Sequence, residues 1–304
     1  MTLPKPVRAP IKDRASILFV ERGQLDVIDG VLVLIDKLGV RMQLPIGAIA
    51  CLMLEPGTRV SHRAVQLAGQ VGCLLVWVGE GGVRVYSAGL MSTHRADRLL
   101  QQARAALDEP LRLAVVRKMY ALRFGQDVPP HMDVDQLRGL EGARVKKMYV
   151  ELADKAGFEW RGRSYDPSNH EAGDLPNRCL SVANSCLYGL THAAILAAGY
   201  SPAIGFIHTG KPQSFVYDVA DIMKFDTVVP TAFRVAQSRP SNPERAVRQA
   251  CRDSFRQSKL LDKIIPLIND LLDTAGPRMT SLREGEIAPY LPEDDPFADV
   301  DHRD

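Results

Sequence analysis

The sequence has no C-x-x-C pair, and its cysteines (Cys51, Cys73, Cys179, Cys186, Cys251) are odd in number, which argues against a secreted disulfide framework. They read as reduced core thiols of a cytoplasmic protein. Long apolar runs are missing too. The most apolar stretches, 49–54, 73–78 and 193–198, are too short to span a bilayer, and the charged N-terminal MTLPKPVRAPIKDR is not followed by the apolar segment of an export signal. The expectation is therefore no export signal and no membrane anchor. Internal repeats are absent. What is present, 304 residues with 46% hydrophobic and 24% charged, excludes collagen, coiled coil and wholesale disorder, and suits roughly two domains.

Net charge is also small, +2 from 38 Lys and Arg against 36 Asp and Glu, but it is unevenly spread. Residues 283–304 hold eight acidic side chains and two arginines, so this tail carries −6 and residues 1–282 carry +8. A basic body with an acidic tail points to a polyanionic partner.

The pattern of residues predicts an α+β fold. Between residues 15 and 88, short β-rich runs (SILFVE, LDVID, VLVLID, RMQL, ACLMLE, CLLVWV, VRVY) are punctuated by glycine or proline, with one amphipathic helix at about 61–70. After Gly89 the apolar residues recur at three and four. Helices are expected across HRADRLLQQARAALDEPLRLAVVRKMYALRFG and at about 136–156, 176–198, 214–223 and 243–274, the last one interrupted near Pro266. The division is thus an N-terminal β domain, 1–88, a C-terminal all-helical catalytic domain, 89–276, and a Pro-rich acidic tail, 277–304.

Three segments carry the polar groups with most chemical potential: Glu141 in LRGLEGARVKKMY, His208 in AIGFIHTGKP, and Asp218 with Asp221 in SFVYDVADI, one helical turn apart. Carboxylates with an imidazole are a ligand set for Mg²⁺ or Mn²⁺. Structural roles are open to the same residues: Asp218 could favour the first turn of its helix, Glu141 could pair with Arg138 or Arg144, and His208 could be a hydrogen-bonded loop histidine. The run GFIHTGK matches the start of a phosphate-binding loop, yet Pro212 occupies the place of the required Ser or Thr, which argues against a nucleotide hydrolase. Further on, Arg245, Arg248, Arg252, Arg256, Lys259 and Lys263 follow at steps of three and four. On one continuous helix they would share an arc of about 80°, a stripe suited to tracking phosphates.

With these segments stand the strings EPGTRVSH, LLVWVGE, AAILAAGYSPAIGFIHTGKP, SFVYDVADI and FDTVVP, and through them the chain resembles the CRISPR-associated integrase of spacer acquisition, type I-E branch, over residues 10–275. The resemblance implies that Glu141, His208 and Asp221 ligate the divalent ion, with Asp218 as a supporting carboxylate. It implies homodimers bridged by a small ferredoxin-like adaptation partner. It also implies capture of double-stranded DNA with single-stranded 3′ ends, and joining of those ends to CRISPR repeat DNA by transesterification. Arg59, Arg84, Arg138, Lys224, Arg245, Arg248 and Arg252 align with DNA-contacting positions, and Tyr165, Tyr188 and Lys211 with an overhang pocket. Where related integrases stack a tyrosine on the duplex end, this chain has Arg22. A metal-dependent nuclease for branched or single-stranded DNA, and a non-enzymatic DNA-binding scaffold, are the competing readings.

Overall fold

In the computed structural model, residues 16–80, 85–89, 96–163 and 174–276 are described. The fold is α+β, with strands first and helices after. Strands β1 (Ser16–Val20), β5 (Ile49–Leu54) and β7 (Leu74–Val78) run parallel, and β8 (Val85–Ala88) closes that sheet antiparallel. A second sheet has the order β4 (Arg41–Gln43), β3 (Val31–Ile35), β2 (Gly23–Ile28), β6 (Thr58–Val60). The β2–β3 hairpin turns at Asp29-Gly30, both with positive φ (52° and 77°), as a tight hairpin of this sequence requires. Strand β6, only three residues long, is not visible in the alternation of the sequence.

Helix α1 (His62–Val71) lies between β6 and β7 in the chain. Ser61 caps it, accepting from Ala64 N at 3.2 Å and donating to Asp26 Oδ1 at 2.7 Å. The long helical run that follows is two helices, α2 (Asp97–Leu107) and α3 (Glu109–Phe124), because Asp108 caps the second and Pro110 fits only its first turn. A capping box of Asp133 and Gln136 starts α4 (Val134–Lys155). Then come α5 (Leu175–Ala197), α6 (Ser214–Met223), α7 (Val228–Ser238), α8 (Pro243–Gln257) and α9 (Leu260–Asp273). Helix α7 was not expected from sequence.

The predicted 243–274 helix breaks earlier than Pro266. Ser258 directs its hydroxyl at the Phe255 carbonyl, and Lys259 adopts a left-handed conformation (φ 49°), while α9 runs on through Pro266. Each piece turns its own apolar face inward: Val247, Cys251 and Phe255 from α8, then Ile264, Ile268, Leu271 and Leu272 from α9.

Alternation along the parallel strands assigns opposite faces to two cores. Ile17, Cys51, Met53, Leu74 and Val76 join the helical core, whereas Val20, Leu52, Leu54 and Leu75 pack with Leu25, Leu32 and α1. The β and helical regions thus meet at a single sheet, with one core on each of its faces. At its centre lies α5, packed on α6, α7, α8 and α9 and on β5, β7 and β8. Its length and composition would suit a membrane span, contrary to the sequence expectation, but 61% of the apolar window is buried inside the fold. It is a core helix.

Candidate active site and nucleic-acid interface

The site begins with the loop at residues 205–208. A Cβ on Gly205 would lie 2.2 Å from the His208 carbonyl oxygen and 2.7 Å from Ser214 Cβ, so only glycine permits this fold-back. The backbone N–H groups of Phe206, Ile207 and His208 all donate to the Asp218 carboxylate, at 2.6, 3.1 and 2.9 Å. His208 Nδ1 lies 2.7 Å from Asp218 Oδ1. Asp218 is fully buried on α6, and these contacts fix both the loop and the imidazole ring, with Nδ1 committed and Nε2 left for other chemistry. Neighbouring helices hold the loop carbonyls: Arg112 Nε donates to Phe206 O at 2.9 Å, Arg138 Nη2 to Ile207 O at 2.8 Å, and Gln102 Nε2 to Ser201 O and Ile204 O.

Glu141 on α4 pairs with Arg123, on the last turn of α3, and with neither of its expected helical neighbours. Arg138 instead serves Ile207 O and Asp135, while Arg144 donates to the Arg123 carbonyl. Arg123 Nη2 donates to the Asp218 carbonyl at 2.9 Å and stands 3.8 Å from Asp221 Oδ2; Lys224 Nζ donates to Asp221 Oδ1 at 2.8 Å. Burial alone would push the Asp221 carboxyl up, but Lys224 and then Arg123 outweigh it and hold it below the usual range. Glu141 and Asp221 line a cleft of about 260 Å³ with Arg123, Arg144, Met148 and Phe225 among its walls.

The donor types of Glu141, His208 and Asp221 fit Mg²⁺ or Mn²⁺. Their placement is looser than the sequence pattern anticipates. His208 does not line the Glu141–Asp221 cleft, and among the described residues no three His, Cys, Asp or Glu side chains gather closely enough to share an ion. Both carboxylates of the cleft face the buried cation Arg123. Asp218 departs further from a ligand role, because its oxygens are occupied by the loop it holds.

A family model described as CRISPR associated protein Cas1 matches residues 123–252, a span that includes Arg123, Glu141, His208, Asp218 and Asp221. "CRISPR-associated endonuclease Cas1" of Geobacter sulfurreducens is 59% identical over 299 residues, covering 98% of this chain and 97% of that protein. The protein of the same name from Escherichia coli K12 is 60% identical over 286 residues, covering 94% and 90%. The chain belongs to the Cas1 family of CRISPR-associated endonucleases. The Escherichia coli relative agrees with the type I-E branch. Among solved structures of Cas1, one titled "Crystal structure of TtCas1-DNA complex" is 42% identical with a TM-score of 0.78, covering 88% of this chain and 99% of that one. A casposase bound to integration product shares the fold, at 15% identity and a TM-score of 0.56 over 84% and 95% of the two chains.

In this Cas1 family member the cationic stripe is interrupted. Arg245, Arg248, Arg252 and Arg256 lie on α8, but the break at Lys259 takes Lys259 and Lys263 out of the helical register. Arg245 and Arg256 are exposed. Arg248 pairs with Glu80 at 3.0 Å, and Arg252 pairs with Glu21 and, at 2.6 Å, with Glu55. Those carboxylates follow the C-terminal ends of β7, β1 and β5, the three parallel neighbours. The strings SILFVE, ACLMLE and LLVWVGE each end in a glutamate, a signal that sequence reasoning overlooked.

Tyr188 packs edge-on against Tyr217 (5.0 Å, 74°), Tyr217 also meets His208 (5.7 Å, 68°), and Lys211 Nζ lies 5.9 Å from the Tyr217 ring centre. Tyr217 was missed although it sits one residue before Asp218. Arg59 and Arg22 are exposed, on β6 and just after β1, and Lys224 is engaged with Asp221. Arg84, Tyr165 and the tail 277–304 lie outside the described residues.

Proposed function

We propose that this chain joins the 3′-hydroxyl ends of captured DNA to CRISPR repeat DNA by transesterification, in an Mg²⁺- or Mn²⁺-dependent reaction. The observation that carries this reading is the Asp218-held loop, which places the His208 imidazole on the element neighbouring Asp221, one helical turn from Asp218. Glu141, His208 and Asp221, which do not converge on one point in this structure, have the donor types to hold the ion. When bound, it supplies Lewis-acid stabilisation of phosphate oxygens and favours loss of the attacking hydroxyl's proton.

The chain's own groups do the positioning. Asp218 keeps His208 Nδ1 engaged, so Nε2 stays available in a fixed ring orientation. Lys211, exposed beside Tyr217, and the exposed Arg245 and Arg256 supply cations for the DNA backbone. Holding a 3′-hydroxyl in line with a phosphodiester can contribute about 7–11 kcal/mol toward the barrier; the bond to the 3′-oxygen of the repeat strand breaks as the new one forms. The partners of this reading are double-stranded DNA with single-stranded 3′ ends, CRISPR repeat DNA, a second copy of the chain, and a small ferredoxin-like adaptation protein. The DNA complex of the TtCas1 relative supports the nucleic-acid part.

The test supplies a 3′-hydroxyl duplex and repeat DNA with Mn²⁺ and measures joined product. Joining is expected from the wild type and is lost in Glu141→Ala, His208→Ala and Asp221→Ala. Cleavage without joining would support the nuclease reading that the relatives' names also fit, and no product would leave the scaffold.

A further inference from the structure

Arg123 is the most deeply buried charged group that touches the Glu141–Asp221 cleft. Its side chain is 4% exposed, against 20% for Glu141 and 13% for Asp221. The guanidinium reaches across two helices: Nη1 to Glu141 Oε1 on α4, Nη2 to the Asp218 carbonyl on α6, with Asp221 Oδ2 at 3.8 Å. The Tyr120 ring lies 5.5 Å away on its own helix. Its Nε is buried without an acceptor. Arg248 and Arg252 share that feature, so it does not set Arg123 apart; what does is that its guanidinium faces both carboxylates of the cleft. Burial by itself disfavours the cation, yet Asp221, Glu141 and Asp218 together more than offset it and raise its pKa above the ordinary arginine value.

We propose that Arg123 is a positioning residue, the built-in counter-cation that holds the Glu141 and Asp221 carboxylates in one buried cleft, so that a divalent ion binds there in competition with its guanidinium. The proposal rests on the reading of Glu141 and Asp221 as ion ligands. Two effects of removing the guanidinium oppose one another: lost alignment of the carboxylates weakens ion binding, and lost repulsion strengthens it. Alignment of Asp221 is the smaller loss, because Lys224 still holds its carboxylate and the Asp218 contacts still tie α6 to the 206–208 loop. Charge decides the sign.

The experiment is thermal unfolding of the full chain in EDTA and in rising Mn²⁺ at constant pH and ionic strength, since an ion that binds only the folded state raises Tm. Arg123→Gln is expected to melt lower than wild type in EDTA and to reach half its Mn²⁺-induced rise at about tenfold lower Mn²⁺. Arg123→Lys, which keeps the charge, should follow the wild-type Mn²⁺ dependence. In EDTA, adding Glu141→Gln to Arg123→Gln should recover part of the lost Tm, whereas Glu141→Gln alone should lower it. A shared Mn²⁺ dependence for wild type and Arg123→Gln, or strictly additive Tm losses in the double variant, would overturn the proposal. If Arg123→Gln alone fails to fold, the double variant decides: folding supports a charge role, and failure rejects it. A wild type that ignores Mn²⁺ refutes the ion reading instead, while the EDTA cycle still judges the counter-cation.

Discussion

Two arginines in this protein have nearly the same surroundings and opposite significance. Arg123 and Arg252 each project from a helix and each face two carboxylates, Glu141 and Asp221 for the first, Glu21 and Glu55 for the second. Arg252 ties α8 to the ends of β1 and β5, with Arg248 and Glu80 repeating the arrangement at β7, so that network fastens the helical region to the sheet. Arg123 sits inside the helical region, against the helix whose buried Asp218 holds the His208 loop. The cation–carboxylate motif itself says nothing about function. What distinguishes the pairs is the neighbour: a folded-back loop carrying an imidazole in one case, strand ends in the other.

The comparison predicts its largest effect at Asp218. Asp218→Ala removes the acceptor of three consecutive N–H groups and of His208 Nδ1, and hydrogen bonds to a charged group contribute roughly 1.5–3 kcal/mol each. Denaturant titration should show a loss of about 4 kcal/mol or more, and DNA joining should disappear, with Asp218→Asn intermediate in both. A variant that lost joining at unchanged stability would make Asp218 a ligand and not the support of the loop.

Arg252→Met should cost less and act elsewhere. Breaking a buried ion pair costs about 3–5 kcal/mol, and here Glu55 is buried but Glu21 is 55% exposed, so roughly 2 kcal/mol is expected from the same titration. Glu55→Gln in that background should restore part of it, and the Mn²⁺-induced rise in Tm should match the wild type. If Arg252→Met altered Mn²⁺ dependence as Arg123→Gln does, the two networks would not be separable.

The smallest effect is one of pH and belongs to the helical core alone. Burial holds the His192 imidazole, on α5 beside Gln213, below its usual pKa. Below about pH 6.5 the unfolded chain takes up a proton that the folded protein declines, so this residue lowers stability as pH falls, until the folded-state pKa is passed. Unfolding free energies measured at intervals from pH 7.5 to 5 should show a shallower decline in His192→Gln; an identical slope would remove His192 as a source of acid sensitivity.

The chain's local order was readable in advance. The change from period two to helical period after Gly89, the glycine and proline breaks between strands, the helix at about 61–70 and the helix start at 243 act within a few residues, and all appear where the sequence puts them. Asp218 and His208 were legible as candidates because ten residues and one helix start separate them. Arg123 was not, since its partners lie 18 and 98 positions away and an Arg in YALRFG looks like any helix-end cation. The cationic stripe stops short of Lys259 and Lys263 for a related reason: helical angles hold only while the helix lasts, and α8 ends at Ser258 and Lys259. Residue types and short spacings determined which elements form and which groups could do chemistry. Only packing decided which cation each carboxylate meets, because an electrostatic partner is set by distance through space and by the water that burial removes, and neither is written along the chain.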